Sequence, residues 1–147
     1  MRKVIIVLSL IFLQIQIIIA AKPDDVVGKW RTANGKGIIE IYKSKNGTFE
    51  GKVLGGEPRK DKNGNPILTD INNPDPTKRN QTTKGLIILT KFVFDDDEWI
   101  DGNVYNPEDG KDYSCKIWMD DYNNLNLRGY LGISLLGRTE KWTRITN

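Results

Sequence analysis

The sequence predicts an all-β protein: a single small antiparallel up-and-down β-barrel of about eight strands with one long loop. No stretch carries apolar residues at helical spacing for more than two turns, which argues against packed helices. Short runs bounded by Asn, Asp and Gly recur along the chain, a pattern typical of antiparallel strands joined by tight turns. Apolar residues are also scarce, and closing one sheet on itself buries a small apolar set while removing exposed edges.

The first segment, residues 1–21, reads as a secretory signal peptide. Arg2 and Lys3 precede an apolar run from Val4 to Ile19, and the small pair Ala20 and Ala21 follows it. An uncleaved membrane anchor is the alternative, but 16 positions broken by polar residues are slightly short for a membrane span. We therefore expect cleavage near Ala20 or Ala21, a folded domain over 22–147, and no stable membrane anchor afterwards.

Loss of this leader changes the composition. Two cations leave with it, so 20 Lys and Arg face 19 acids and the formal charge falls from +3 to +1. Sixteen apolar residues leave as well, so about 32 % of the remaining 126 residues are apolar, below the usual globular range of roughly 45 %, which is counted with Gly. A near-neutral chain lacks the clustered positive charge that binding to nucleic acid requires, so we expect no nucleic acid partner.

Eight strands are predicted in the remaining chain. Turn sequences such as Asn34-Gly35, Asn46-Gly47 and Asp101-Gly102 supply positive φ at low cost, so consecutive strands should form hairpins. The predicted strands are Val26 to Thr32, Gly37 to Lys43, Thr48 to Leu54, Leu86 to Phe94, Trp99 to Asn106, Lys111 to Asp120, Leu125 to Leu131 and Arg138 to Ile145.

One connection is far longer than the others. The stretch from Gly55 to Lys84 holds four of the six prolines and charges of both signs. Loops beyond about 12 to 15 residues without structure of their own are uncommon unless they are functional or disordered. Two interpretations are open: a mobile surface excursion, or a lid across one mouth of the barrel.

The first and last strands carry a recognisable pairing. Gly28, Trp30 and Thr32 share one face of the first strand, and Trp142 and Arg144 share one face of the last. A Gly-x-Trp that opens the first strand, with an Arg in the last, resembles the calycin signature of lipocalins and fatty-acid-binding proteins. In those proteins the Arg packs across the Trp and closes the barrel, a contact worth roughly 0.5 to 2 kcal/mol.

A closer resemblance extends over nearly the whole chain after the leader. The segments that carry it are Gly28–Trp30 with Thr32, Asp70–Asp75 with Arg79, Gly85–Leu86, Gly102–Lys111 with Tyr113 and Cys115, Leu127–Gly132, Gly137–Thr139 and Trp142–Arg144. Together they are similar to the bacterial family of exported small proteins known as domain of unknown function 2147. The resemblance implies a calycin-like barrel and export across the inner membrane, and it implies no activity.

Several kinds of catalytic and metal site are excluded or disfavoured. The chain has no histidine, which removes Ser-His-Asp and Cys-His arrangements and His-bearing zinc sites. Cys115 is the only cysteine, so no internal disulfide can form, and its alternation with apolar residues favours a buried thiol over a reactive one. The acidic run 95–98 is interpreted as a hairpin turn, and 61–72 lacks the Gly and Glu that a calcium loop needs.

Two predicted strands have unusual faces: strand 86–94 is apolar on both faces, and the last strand carries charged residues on the same face as Trp142. Strict alternation puts Ile88 and Phe92 on one face of strand 86–94 and Leu89 on the other, so both faces are apolar. If Trp142 points inward, Glu140 and Arg144 point inward with it. Such a barrel suits either packing under the long loop or a cavity with a charged anchor. For Arg144 two roles are open: capping the core beside Trp30, or pairing with a ligand anion.

The predicted function is binding rather than catalysis. We expect a non-enzymatic exported protein, periplasmic or secreted, that holds a small lipophilic, amphipathic or anionic ligand in its barrel, without cofactor or metal. The alternative is an envelope protein-interaction or inhibitor module that acts through its loops; a carboxylate-driven hydrolase is the weakest hypothesis. The candidate ligand-binding residues are Trp30, Arg79, Tyr105, Arg128, Tyr130, Trp142 and Arg144.

Overall fold

The computed structural model describes residues 20–132 and 137–146. Ten strands lie in these ranges, together with two short 3₁₀ helices at Pro23–Val26 and Pro76–Lys78. The strands are β1 (Gly28–Arg31), β2 (Gly37–Lys43), β3 (Phe49–Gly56), β4 (Arg59–Lys60), β5 (Pro66–Ile67), β6 (Ile87–Asp95), β7 (Glu98–Asn106), β8 (Lys111–Asp121), β9 (Asn124–Tyr130) and β10 (Arg138–Arg144).

Eight of these strands form one closed antiparallel barrel in the order β1-β10-β9-β8-β7-β6-β3-β2. Trp30 closes the ring, since its β1 position pairs with Arg144 of β10 on one side and with Ile39 of β2 on the other. The predicted fold class is therefore confirmed, and each predicted strand matches an observed one. The largest boundary errors are two residues: β1 begins at Gly28, because Pro23–Val26 forms a 3₁₀ turn instead of an extended segment, and β3 extends to Gly56 instead of Leu54.

The turns at one end of the barrel are tight. Between β6 and β7 only Asp96 and Asp97 remain, both with positive φ (45° and 68°), as a two-residue hairpin turn requires. The acidic run 95–98 is thus a hairpin turn, as predicted. The 3₁₀ helix Pro23–Val26 covers this same end, which we call the closed end; the opposite end is the mouth.

Apolar side chains fill the barrel at the closed end and through its middle. A cavity for a ligand would leave accessible surface on the side chains around it, yet Trp30, Leu89 and Trp99 are 0 % exposed. The buried apolar set is Val26, Trp30, Ile39, Ile41, Phe49, Ile88, Leu89, Phe92, Trp99, Cys115, Ile117, Leu125, Leu127 and Trp142. All of them except Val26, in the 3₁₀ helix, and Ile88, on the outer face of β6, point into the barrel, and where they pack no accessible space remains for a ligand.

A bulge in β6 and another in β7 break the alternation of side chains. Leu89 pairs with Gly51 and Phe92 pairs with Phe49, so both point inward although three positions separate them. Lys91, with φ of 65°, supplies the extra residue. The sequence-based assignment of Leu89 and Phe92 to opposite faces is wrong for this reason. Asp101, with φ of 57°, lies at a similar register shift in β7.

The long loop lies along the outer wall of the barrel. Val104 pairs with the inward Leu89, so the next residue, Tyr105, points outward, and there its hydroxyl group contacts Asp70 of the loop. Part of the loop is ordered as the β4–β5 hairpin and a bridge between Thr69 and Thr82. The expectation of a lid across the mouth is wrong, because the loop is held to the side of β6–β8.

Candidate ligand groove on the outer wall

A groove runs between the long loop and the outer wall of β6, β7 and β8. Its volume is about 530 Å³, within the range of roughly 300 to 1,000 Å³ typical of small-molecule sites. We call it the outer groove, and its lining residues are Asn73, Pro74, Asp75, Lys78, Gln81, Leu86, Ile87, Ile88, Thr90, Tyr105 and Asp112. A second, more open depression continues from it along Gln81–Lys84 to Ile87.

A buried carboxylate attaches the loop to the barrel. The Tyr105 hydroxyl group donates to Asp70, with both carboxylate oxygens at 2.9 Å, and the Asn73 side-chain amide donates to Oδ2 of the same group at 2.7 Å. Asp70 is 0 % exposed, so these donors replace water around its oxygens. Burial, followed by the bond to Asp70, raises the pKa of Tyr105 to about 12.

Further contacts hold the loop beside the β7–β8 turn. The Asn72 side-chain amide donates to the backbone carbonyl groups of Pro107 (3.2 Å) and Glu108 (2.8 Å). Gly110 lies against the Asn72 carbonyl group, where a Cβ atom would collide with it. Within the loop, Arg79 Nε donates to the Asn73 carbonyl oxygen at 2.8 Å. The loop side of the groove is therefore positioned by specific hydrogen bonds.

The apolar side of the groove is the beginning of β6. The register that pairs Leu89 with Val104 places Ile88 beside Tyr105 on the outer face. Ile88 is nevertheless only 9 % exposed, since the loop lies over this part of the wall. Ile87 remains 45 % exposed and lines the groove as well. The apolar character of both faces of this strand thus has two causes: one face packs in the core and the other lies under the loop.

The groove carries three charged side chains. Asp75 accepts hydrogen bonds from the Thr77 hydroxyl and backbone groups, which lower the pKa of Asp75, and Lys78 Nζ lies 3.8 Å from its carboxylate. On the barrel side, Asp112 is directly opposite Tyr105 in the β7–β8 register. Its exposed carboxylate makes no ion pair or hydrogen bond with any residue that the structure describes.

Of the seven predicted ligand-binding residues, only Tyr105 lines the outer groove. Arg79 lies in the loop but outside the lining, and Arg128 and Tyr130 lie on the outer face of β9. Arg128 donates to the Thr139 hydroxyl group at 2.7 Å. The structure therefore does not bring the seven together, and their role as a set stays a prediction.

The other three predicted residues lie inside the barrel, towards its closed end: Trp30, Trp142 and Arg144. The Arg144 guanidinium stacks between the rings of Trp30 (4.2 Å to the centroid) and Tyr122 (4.0 Å). Its nitrogens donate to three backbone carbonyl groups, those of Tyr122 (2.7 Å), Val27 (2.8 Å) and Asp25. This geometry corresponds to the capping role, in which three of the five guanidinium N–H groups are bonded to backbone carbonyl groups.

The two tryptophans beside it are equally committed to the core. Trp30 Nε1 donates to the Val26 carbonyl oxygen at 2.9 Å, and Trp142, 3 % exposed, has Glu140 Oε2 as its acceptor at 3.4 Å. Glu140 and Arg144 share the inward face of β10 with Trp142, as predicted. Cys115 also faces inward at 1 % exposure, and burial raises the pKa of its thiol.

Sequence reasoning missed Asp70, Lys78 and Asp112. Asp70 belongs to a segment that carried the family resemblance, and the doubly apolar strand 86–94 indicated that something covers the outer wall. No local sequence pattern connects Asp70 with strand 86–94.

Among residues 20–132 and 137–146, no group of three or more potential metal ligands is found, and no helix there is long and apolar enough to cross a membrane.

The closed eight-stranded barrel, capped by an Arg on a Trp, defines a lipocalin-like, or calycin-like, protein. A solved structure of HP1028 from Helicobacter pylori, described as belonging to the lipocalin family, superimposes with a TM-score of 0.68 at 24 % identity, covering 82 % of this chain and 83 % of that one. The chain itself belongs to the family described as "Uncharacterized protein conserved in bacteria (DUF2147)", which matches residues 28–144. No curated protein sequence matches it.

Proposed function

We propose that this protein is an exported, non-enzymatic binding protein that holds a small lipophilic or amphipathic molecule in the outer groove. The observation that carries the proposal is a ligand-sized groove of about 530 Å³ with an apolar wall on β6 and polar side chains on the loop. Because the barrel interior is filled where its side chains are buried, the groove is a better site than the barrel axis.

The non-enzymatic part of the proposal rests on the chemistry of the groove. The chain has no histidine, so proton transfer near neutral pH would require a carboxylate, Lys or Tyr. Tyr105 already donates to Asp70, and Asp75 and Lys78 lie beside each other. Export rests on the leader pattern of residues 1–21, most of which lie outside the described residues.

The proposal can be tested by native mass spectrometry of protein purified from its own compartment. We expect a co-purifying small molecule on the wild type and its loss in Ile87→Asp, which puts a charge on the apolar wall. Val93→Asp is the matched control, since Val93 lies in the same strand and is exposed to the same extent (47 % against 45 %) but does not line the groove. An unliganded wild type, or equal occupancy in both variants, would contradict the proposal.

One observation favours the alternative function as a protein-interaction module. Leu68 and Ile71, both in the long loop, are 58 % and 46 % exposed, and solvent-facing aliphatic side chains of this kind often contact partners. Pull-downs from envelope extracts with the wild type and with a Leu68→Ser, Ile71→Ser double variant would test it. Identical partner lists for the two proteins would argue against this alternative.

A further inference from the structure

The charges lining the outer groove are not balanced. Lys78 Nζ lies 3.8 Å from the Asp75 carboxylate, so these two charges compensate each other. The loop side of the groove is therefore close to neutral. On the barrel side, Asp112 faces the groove with no partner among the described residues. A ligand entering the groove meets one uncompensated negative charge.

The distance between Asp112 and the apolar wall indicates what kind of ligand the groove fits. Ile88, Tyr105 and Asp112 lie side by side on three consecutive strands, because Tyr105 is opposite Asp112 and the β6–β7 register places Ile88 beside Tyr105. Neighbouring strands are about 4.8 Å apart, so roughly 10 Å separates the apolar end of this row from the carboxylate. That distance suits a molecule with an apolar part and a polar end.

The polar groups near the row from Ile88 to Asp112, those of Tyr105 and Arg59, do not offset the negative charge that Asp112 places in the groove. The Tyr105 hydroxyl proton is donated to Asp70, so this hydroxyl group has no proton to offer a ligand and adds no charge to the groove. Arg59 also lies within electrostatic reach of Tyr105, but its Nη2 is buried and Arg59 does not line the groove. Of these two charges, Asp112 lines the groove and Arg59 does not.

We propose that the outer groove binds a cationic amphiphile, with an alkylammonium group at Asp112 and its hydrocarbon part against Ile87 and Ile88. This inference rests on the proposed function and replaces the earlier expectation of an anionic ligand. The binding free energy comes mainly from the buried hydrocarbon, because an ion pair at an exposed carboxylate adds little. The charge therefore sets the preference among ligands of equal tail length.

Three probes with the same ten-carbon chain test this: decylamine, decanol and decanoate, titrated calorimetrically below their micelle concentrations at pH 7. For the wild type we expect decylamine to bind up to about fivefold more tightly than decanol, and decanoate most weakly. In Asp112→Asn the affinity for decylamine should fall to that for decanol, while decanol binding stays unchanged. Asp95→Asn, an exposed carboxylate of β6 outside the groove, is the control.

The outcomes separate this inference from the proposed function. If the wild type binds all three probes equally, or prefers decanoate, the groove binds amphiphiles but the cationic preference is wrong. If Asp112→Asn keeps the full preference for decylamine, Asp112 is not the anchor and the inference is overturned. If none of the probes binds the wild type, both the proposed function and the inference are contradicted. Spermidine, which has amines without a hydrocarbon tail, should bind weakly.

Discussion

Tyr105 of the barrel wall and Asp70 of the long loop are 35 positions apart in sequence, yet the tyrosine hydroxyl group lies 2.9 Å from both oxygens of the aspartate carboxylate. The carboxylate has no contact with solvent, and its other side-chain donor is Asn73. This contact holds the loop against the outside of the barrel and forms one side of the outer groove. The stability of the groove should therefore depend on one hydroxyl group.

Tyr105→Phe should detach the loop. The change removes a donor from a buried carboxylate, which typically costs about 1 to 3 kcal/mol. We expect that loss in the free energy of unfolding by denaturant, together with faster hydrogen exchange in residues 68–83. Tyr113→Phe is the control, because Tyr113 donates to the exposed Asp109 and removal of its hydroxyl group should leave the free energy of unfolding close to that of the wild type. Equal losses in both variants would contradict the assigned role of Tyr105.

Stability should fall at alkaline pH in a manner that depends on Tyr105. Its pKa is raised to about 12 in the folded protein, against about 10 for a solvated tyrosine. The contribution is fully present below pH 10 and is lost between pH 10 and 12, since the unfolded chain releases its proton first. The slope is below about 1.4 kcal/mol per pH unit, because the side chain is partly exposed.

Denaturant titrations between pH 9 and 12 measure this dependence. Tyr42, bonded to Glu50, also has a pKa raised to about 12, and burial raises the pKa of the Cys115 thiol, so the wild type should lose stability through at least these three groups. Tyr105→Phe should reduce the slope, the double variant with Tyr42→Phe should reduce it further, and the slope that remains should come mainly from Cys115. A slope unchanged by either substitution would show that other groups control alkaline unfolding.

Arg144→Lys should weaken the closed end of the barrel. Lysine cannot reproduce the planar guanidinium that stacks on Trp30 and donates to three backbone carbonyl groups. We expect a loss of about 2 to 3 kcal/mol in unfolding free energy, followed by tryptophan fluorescence. Arg138→Lys, in the same strand with a side chain that is 87 % exposed, should change stability by less than about 0.5 kcal/mol. Similar effects at both positions would contradict the closing role.

Gly102→Ala should destabilise the core, whereas Gly129→Ala should not. A Cβ atom at Gly102 would overlap the Phe92 ring, and overpacking of this kind costs about 1 to 3 kcal/mol. At Gly129 the nearest atoms to a new Cβ are Val104 Cγ1 at 3.5 Å and Tyr113 Cβ at 3.7 Å, which are ordinary contacts. Thermal unfolding of the two variants gives the comparison. A partial rescue of Gly102→Ala by Phe92→Leu would confirm that the ring is the obstacle.

Much of the barrel was predictable because its signals are local. Asn-Gly and Asp-rich turns mark the ends of strands, and the short apolar runs between them mark the strands themselves. The pairing of Trp30 with Arg144 was also predictable, from a family pattern of only two positions. The faces of β6 could not be assigned correctly, since the bulge at Lys91 depends on how β3 pairs with it.

The sequence by itself determined the all-β class, the closed barrel, the Trp30–Arg144 cap and the family. Only the tertiary structure decided where the long loop lies and which residues form a site. Strand patterns repeat every two residues and are visible in any short window, whereas Asp70 meets Tyr105 across 35 positions and Asp112 reaches the same groove from another strand. Contacts between distant segments depend on how the barrel is closed, so no single stretch of the chain encodes the groove.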